Sequence, residues 1–276
     1  MENKKFIFRF DIDTIKCING GVDNLVKLGK KYDVKFVFFI NMGKAISLKL
    51  FIKNLLNKNN HHNGNEEEIC SLSAFRKLGL IDYLQTAMIN PNVGMSNIKN
   101  IKKLFENGHE IGLHGGKNHA IWAENIMKMT EDEIKEDLSW SLNKLRNIIG
   151  DEKIGFASPE WEGGKKLRKV LSDMNFLYCA DSHGPQTDNI YDDHLPILPT
   201  NILYEPTGVG FYEGFTYKNL NHDKLKEIII HSINTHNYSV IYDHPYFAGV
   251  EGLALVETIK IVQELNIDIV RYCDII

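Results

Sequence analysis

The chain has 276 residues, of which 43% are hydrophobic and 25% charged, with 21 glycines and 7 prolines. This composition is typical of a globular protein with a sizeable core and excludes a disordered or fibrous chain. The formal net charge is −4 and only five of the 32 basic residues are arginine, so we expect no nucleic-acid partner.

Short apolar runs alternate with longer amphipathic segments along most of the chain. Seven runs rich in β-branched and aromatic residues predict buried strands: Phe6–Phe10, Phe36–Ile40, Glu110–Leu113, Ile154–Ala157, Phe176–Cys179, Ser239–Tyr242 and Ile267–Val270. The segments between them predict helices at Val22–Tyr32, Asn97–Asn107, Thr130–Ile149, Gly164–Met174, Asp223–Thr235 and Glu251–Leu265. This alternation predicts parallel βαβ units and favours one nearly closed β/α barrel, although an open doubly wound sheet has the same local pattern.

One stretch interrupts this rhythm, so we predict a single domain over residues 1–276 with an insertion at about 44–95. The middle of the insertion, Leu56–Glu68, is polar and rich in asparagine. Before it, Ala45–Leu56 mixes apolar residues with Lys49 and Lys53. That segment is either a basic amphipathic helix at a membrane surface or a lid that packs on the barrel.

Cysteine usage and the apolar runs indicate a location in the cytoplasm. The four cysteines lie far apart and form no CxxC, so they indicate neither a thiolate zinc site nor a disulfide framework. The first apolar run meets Asp11 and Asp13 too early for a signal-peptide core, and no apolar segment is long enough to span a bilayer. We expect a cytoplasmic protein, peripheral to the inner face of the membrane if Ala45–Leu56 contacts lipid.

Polar residues follow the predicted strands at the points where the strands end. Active sites of parallel α/β folds gather at the carboxyl ends of strands. The candidates are therefore Asp11, Asp13, His114, Asn118, His119, Ser158, Glu160, Trp161, Asp181, His183 and His244.

Asp11 and Asp13 lie two residues apart and would face the same side of the first strand. Two neighbouring carboxylates repel each other, so either a cation lies between them or one of them takes up a proton. This requirement suggests a nearby metal. Asp13 and His114 could bind that metal while Asp11 takes a proton from the attacking water.

His244 stands directly before Pro245, which ends its strand. It is placed to protonate a leaving amine, or it is only a capped strand end. Asp181 and His183 form a second candidate pair, which would either orient His244 or bind substrate hydroxyls.

Five segments resemble, in order and spacing, the five motifs of the polysaccharide deacetylases, also called the chitooligosaccharide deacetylase homology group or carbohydrate esterase family four. They are FRFDIDT, ENGHEIGLHGGKNHAIW, FASPEW, YCADSHG and VIYDHP. Within this family the pattern is most similar to the deformylase branch that acts on undecaprenyl-phosphate-linked formamido-arabinose.

The resemblance implies a distorted (β/α)7 barrel and metal-dependent hydrolysis of an acyl group on a sugar, with zinc as the expected metal. It implies that Asp11 is the general base and His244 the general acid, and that Asp13 and His114 are metal ligands. The backbone amide near Glu160 would stabilise the oxyanion. The expected substrate is an amino sugar or glycan, with a polyprenyl-phosphate-linked sugar as the form favoured by the branch.

Two positions depart from the family pattern. The second metal histidine aligns with Asn118, so either Asn118 serves, His119 replaces it, or the metal site is weakened. The family arginine that holds the base falls on Ala157. The deformylase branch also lacks that arginine, so this departure supports the branch assignment.

These departures leave two alternatives open. One is a metal-independent, allantoinase-like amidohydrolase on the same barrel. The other is a catalytically inactive barrel that binds carbohydrate.

Overall fold

A computed structural model describes residues 4–47, 90–183, 190–192, 195–204 and 209–276. Most of the insertion expected at about 44–95 lies outside the described residues. So does the candidate membrane segment Ala45–Leu56, apart from its first three residues.

Seven parallel strands form the barrel, in the spatial order β7, β5, β4, β3, β2, β1, β8. A parallel bridge between Ile202, just after β7, and Ile241 of β8 brings the two ends of this order together. β6 pairs with β7 in antiparallel fashion, and β9 pairs with β1 outside the ring. The strands are β1 Lys5–Ile12, β2 Val37–Ile40, β3 Glu110–His114, β4 Phe156–Ala157, β5 Cys179–His183, β6 Ile190–Asp192, β7 Leu195–Thr200, β8 Tyr238–Asp243 and β9 Asp268–Ile269.

The α-helices of the described residues cover the outside of the barrel or line its rim. They are α1 Val22–Tyr32, α2 Val93–Ser96, α3 Ile98–Glu106, α4 His119–Asn125, α5 Glu131–Ile149, α6 Gly164–Asp173, α7 Phe211–Tyr217, α8 His222–Thr235, α9 Pro245–Ala248 and α10 Leu253–Glu264. The capping box of Thr130 and Glu133 starts α5 as the sequence predicts. A π-helical turn, Cys17–Gly21, joins β1 to α1.

β1 shows why these strands are apolar on both faces. Phe6, Phe8 and Phe10 belong to the large cluster between barrel and helices, whereas Ile7 belongs to the cluster inside the barrel. Because successive side chains alternate, Arg9 and Asp11 follow Ile7 into the interior. On β1, the polar side chains that enter the barrel are therefore those at the alternate positions that follow Ile7, namely Arg9 and Asp11.

The predicted barrel is confirmed, but one of its strands was assigned wrongly. Ile267–Val270 is not a barrel strand, since only Asp268–Ile269 forms a short strand on β1. The missing strand is β7, whose sequence LPILPT contains Pro196 and Pro199. Proline has no N–H to donate to a neighbouring strand, so two prolines in this apolar segment argue against a strand in the sequence, although the segment forms one.

No helix among the described residues is long and apolar enough to cross a bilayer. Cys17, Cys179 and Cys273 are free thiols, and the first two are buried.

Candidate metal and catalytic site

A cavity of about 110 Å³ opens at the carboxyl ends of the strands. Its walls come from four strands and the turns that follow them. The residues that line it are Asp11, Asp13, His114, His119, Ser158, Glu160, Trp161 and Tyr242.

Three side chains in this cavity form a group that could hold a metal ion: Asp13, His114 and His119. Their ligand atoms all lie within 4.8 Å of one another. His114 Nε2 is 3.2 Å from both Asp13 Oδ1 and His119 Nε2. Two imidazoles and one carboxylate are the usual protein ligands of zinc in catalytic sites.

Local structure brings these three residues together. Asp13 directly follows β1, and His114 is the last residue of β3. Gly115, with φ of +75°, turns the chain away from the strand, and His119 begins α4. Glycine adopts this left-handed conformation without strain, which allows the tight return of His119 towards His114.

His114 is fixed in the tautomer that a metal ligand needs. Its Nδ1 donates to the carbonyl of Ala157 at 2.9 Å, so Nε2 of the neutral ring carries a lone pair. Burial disfavours the charged ring, but the carboxylates of Asp11 and Asp13 outweigh burial and raise the pKa of His114.

The group contains a buried polar atom that lacks a donor. Asp13 Oδ1 has no hydrogen-bond partner within the described part of the chain, although the atom is inaccessible to solvent. Burial tends to raise the pKa of Asp13, but His119, His244 and His114 hold it well below its usual value. A buried anionic oxygen between two imidazole nitrogens fits a divalent cation in its chemistry and its spacing.

Asn118 lies outside this group, although the family alignment gives it the position of the second metal histidine. Its side-chain oxygen accepts the N–H of Ile121 and so caps α4, while its amide nitrogen donates to the carbonyl of Ile46. Both polar ends of Asn118 are therefore used. This geometry favours His119, the alternative at the next position, over Asn118 as the metal ligand.

Asp11 is buried beside the metal group and is held by Arg9. The Arg9 Nε donates to Asp11 Oδ1 at 3.0 Å, and Nη2 donates to Oδ2 at 2.7 Å. The same Oδ2 lies 3.9 Å from His114 Nε2. Asp11 therefore faces the metal group without belonging to it.

His244 lies on the opposite side of Asp13. Its Nε2 is 3.0 Å from Asp13 Oδ2 and 2.9 Å from the hydroxyl of Tyr242. The buried Nδ1 has no hydrogen-bond partner among the described residues. His244 is thus held by Asp13 and Tyr242.

Asp181 does not orient His244 but supports the turn at the end of β4. Its carboxylate accepts from the Ser158 N–H at 2.7 Å and from the Ser158 hydroxyl at 2.5 Å. In that turn Glu160 and Trp161 have φ of 54° and 62°, a left-handed conformation that is unusual for two successive side-chain-bearing residues. His183 is exposed, and its ring lies against that of Trp161 in a tilted arrangement, with the centroids 5.2 Å apart.

The sequence patterns did not single out Arg9 or Tyr242, whereas Ser158 was among the candidates at the strand ends. A signal for Arg9 was present, because it is the one charged residue of the run FIFRF and lies two residues before Asp11. Tyr242 looks like any apolar strand residue, and only the barrel places its hydroxyl against His244.

Known proteins are similar to this chain in sequence and in fold. Residues 1–179 match the family model described as polysaccharide deacetylase. A Shewanella sediminis protein assigned as a 4-deoxy-4-formamido-L-arabinose-phosphoundecaprenol deformylase is 24% identical over 97% of this chain and 84% of its own length.

Solved structures share the fold. A Mycobacterium smegmatis structure assigned as a polysaccharide deacetylase superposes with a TM-score of 0.64 and 16% identity, covering 99% of this chain and 88% of the other. The Puue allantoinase superposes with a TM-score of 0.62 and 13% identity, covering 99% of this chain and 89% of that one.

Proposed function

Since the chain belongs to the polysaccharide deacetylase family, we propose that it is a metal-dependent hydrolase that removes an N-acyl group from an amino sugar. The observation that carries the proposal is the Asp13, His114 and His119 group, placed beside a second carboxylate, Asp11, and a buried imidazole, His244. Together these supply the ligands, base and acid that amide hydrolysis needs.

Asp13, His114 and His119 would hold the metal. A divalent ion there, zinc being the expected one, would polarise the acyl carbonyl and lower the pKa of the attacking water to near neutrality. The donation of His114 Nδ1 to Ala157 keeps the Nε2 lone pair directed into the group.

Asp11 takes the proton of the attacking water. Its two oxygens are fixed by Arg9, so the carboxylate does not rotate during the reaction. As the tetrahedral intermediate collapses, His244 Nε2 protonates the departing nitrogen, because an amide nitrogen is a poor leaving group without a proton.

The oxyanion receives a backbone donor from the turn after β4. The Trp161 N–H is bonded to the carbonyl of Ser158, so we assign the role to the N–H of Glu160. The left-handed conformation of Glu160 and Trp161 presents this stretch of backbone to the cavity. Trp161, Asp181 and His183 are then substrate-side or supporting residues.

The cavity volume suits the acyl group alone. About 110 Å³ accommodates a formyl or acetyl group with a water, whereas pockets for whole ligands occupy about 300–1,000 Å³. The sugar therefore lies outside the cavity mouth. The likeness to the Shewanella sediminis deformylase favours a formyl group and a polyprenyl-phosphate-linked sugar.

A lipid-linked substrate would bring the protein to a membrane surface. Ala45–Leu56 is our candidate for peripheral contact at the inner face, as part of a cytoplasmic protein.

The two alternatives have less support. A metal-independent reaction gives no role to the convergence of the Asp13, His114 and His119 ligand atoms within 4.8 Å of one another. A barrel that only binds carbohydrate would not need Asp11 held in one orientation beside a metal group.

Release of amine from defined substrates tests the proposal. Purified protein with Zn²⁺ is incubated with methyl 4-formamido-4-deoxy-L-arabinoside, its acetamido analogue, acetylated chitooligosaccharides and a polyprenyl-phosphate-linked formamido sugar. We expect formate or acetate together with a free amine, and a loss of about 10²–10⁴-fold in Asp11→Asn.

Asp23→Asn is the control, because Asp23 pairs with Lys103 at the surface. It should retain the wild-type rate. Hydrolysis that survives Asp11→Asn, or that resists removal of metal, would contradict the proposal.

A further inference from the structure

We infer that Arg9 is the positioning residue of the general base, supplying from β1 the guanidinium that the family motif supplies from the position of Ala157. This inference rests on the proposed function. It concerns how Asp11 is held in place.

Arg9 is completely buried, and its donors are almost fully used. Nε and Nη2 bind the two oxygens of Asp11, in the fork geometry that matches a carboxylate. Nη1 donates to the Ala180 carbonyl at 2.6 Å and to the Thr200 hydroxyl at 3.0 Å. Arg9 thus crosses the barrel from β1 and is anchored on β5 and just at the end of β7.

Aromatic rings enclose the guanidinium. Its central carbon lies 4.2 Å from the Trp161 ring centroid, 4.9 Å from that of Phe39 and 5.4 Å from that of Tyr242. These cation–π contacts stabilise the charge where water cannot reach it. Trp161 reaches this position from the left-handed turn that Asp181 supports through Ser158. The strained turn is therefore coupled to Arg9, and through Arg9 to Asp11.

Small residues leave room for this arrangement. Ala157 on β4 and Ala180 on β5 are fully buried on the inside of the barrel, and the Ala180 carbonyl accepts a hydrogen bond from Arg9. Ala157 is also the position at which the resemblance places the family arginine. In this chain the guanidinium thus comes from β1, whereas in the family pattern it comes from the position of Ala157 on β4, and the carboxylate partner is at the same position in both.

The two hydrogen bonds from Arg9 fix the orientation of the Asp11 carboxylate, which packing alone would not do. Asp11 lies two residues before Asp13, and only a two-point contact fixes both oxygens of Asp11 relative to the metal group. A lysine would keep the charge but could not bind both oxygens in the plane of the carboxylate. Exchange to lysine should therefore impair the base without removing the cation.

Hydrolysis of 4-nitrophenyl acetate measures the base step separately. Its leaving group departs without a proton, so the rate reports on Asp11 and the metal but not on His244. We expect Arg9→Met and Arg9→Lys to lower kcat by about 10–100-fold with KM unchanged. The exchange variant Arg9→Met/Ala157→Arg should recover most of that loss. Zn²⁺ affinity measured by calorimetry should remain at the wild-type value in all three.

Arg271→Lys is the matched control. Arg271 also binds a carboxylate, that of Asp274, through two nitrogens, but it is partly exposed and is not among the residues that line the cavity. It should keep the wild-type kcat. Wild-type kcat in Arg9→Lys, or an exchange variant that folds and binds Zn²⁺ but is no faster than Arg9→Met, would overturn the inference.

Thermal unfolding separates this inference from the proposed function. If the wild type showed no metal-dependent turnover, the proposed function would fail, and the Arg9–Asp11 pairing would still be measurable. Asp11→Asn/Arg9→Met should melt at a higher temperature than Arg9→Met, since it removes the unpaired buried carboxylate. A double variant that melts below both single variants would contradict the pairing.

Discussion

His119 and Asn118 are neighbours in sequence with different roles in the structure. His119 Nε2 faces His114 and Asp13, whereas the Asn118 side chain caps α4. We predict that His119→Ala weakens Zn²⁺ binding by at least about tenfold, because the substitution removes one of the three proposed metal ligands. Calorimetric titration of the metal-free protein measures this affinity.

Asn118→Ala is the comparison. It should leave the Zn²⁺ affinity unchanged and lower the free energy of unfolding by about 1 kcal/mol, the usual cost of losing an N-cap. If Asn118→Ala abolished metal binding while His119→Ala kept it, the ligand assignment would be reversed.

His109 gives the protein a specific dependence on acid. Its ring is buried, and its Nδ1 accepts the Phe36 N–H at 3.1 Å, so the neutral form is favoured. Burial, together with Lys35, Arg271 and Lys30, lowers the pKa of His109 to about 4. An unfolded histidine titrates near 6.5. The folded state therefore binds fewer protons than the unfolded state, and its stability falls as the pH drops from about 6.5 to about 4.

The predicted loss is on the order of 3 kcal/mol across that window. Denaturant unfolding at a series of pH values measures it. His109→Asn, which keeps an acceptor for the Phe36 N–H, should flatten the profile, whereas His231→Asn on the exposed face of α8 should not. An identical pH profile in wild type and His109→Asn would refute the prediction.

At the scale of elements, the π-helical turn Cys17–Gly21 is packed against the start of α9. A Cβ atom on Gly21 would lie 1.6 Å from the Pro245 carbonyl oxygen. The turn after Asp13 and the chain after His244 are therefore in direct backbone contact. This contact sets the separation of Asp13, the proposed metal ligand, from His244, the proposed acid.

Gly21→Ala should force these two segments apart. We predict a loss of about 1–3 kcal/mol in the free energy of unfolding, the usual cost of overpacking, and a lower kcat on amide substrates. Gly20→Ala is an unusually close control, since a Cβ atom on Gly20 meets nothing within 4 Å. Equal effects of the two substitutions on stability and rate would show that the contact is unimportant.

Some strands and helices of this fold could be predicted from sequence patterns, and others could not. β1 and α5 could be predicted because apolar alternation and a capping box are local signals. β7 could not be predicted, because Pro196 and Pro199 oppose the strand pattern, and the strand forms through its pairing with β5 and β6. The role of Arg9 and the choice between Asn118 and His119 were also out of reach, because a cross-barrel ion pair and the orientation of a capping side chain depend on tertiary contacts.

For the whole molecule, the parallel barrel is what makes the site. β1, β3 and β4 deliver Asp11, Asp13, His114 and the turn after Ala157 to one rim, and the end of β8 delivers His244 to the far side of Asp13. The sequence predicts this gathering because the carboxyl ends of parallel strands share one face. Which imidazole lies next to which carboxylate depends on turn geometry that the sequence does not display.

Metal titration of the wild-type hydrolase tests the central claim most directly. The protein is stripped of metal with a chelator, titrated with Zn²⁺, and assayed for amine release from the best substrate of the panel, with His114→Ala in parallel. We predict one tightly bound ion per chain, hydrolysis that rises in proportion to occupancy, and loss of both properties in His114→Ala. Full hydrolysis by the stripped protein, or hydrolysis by His114→Ala at the wild-type rate, would contradict a metal-dependent mechanism.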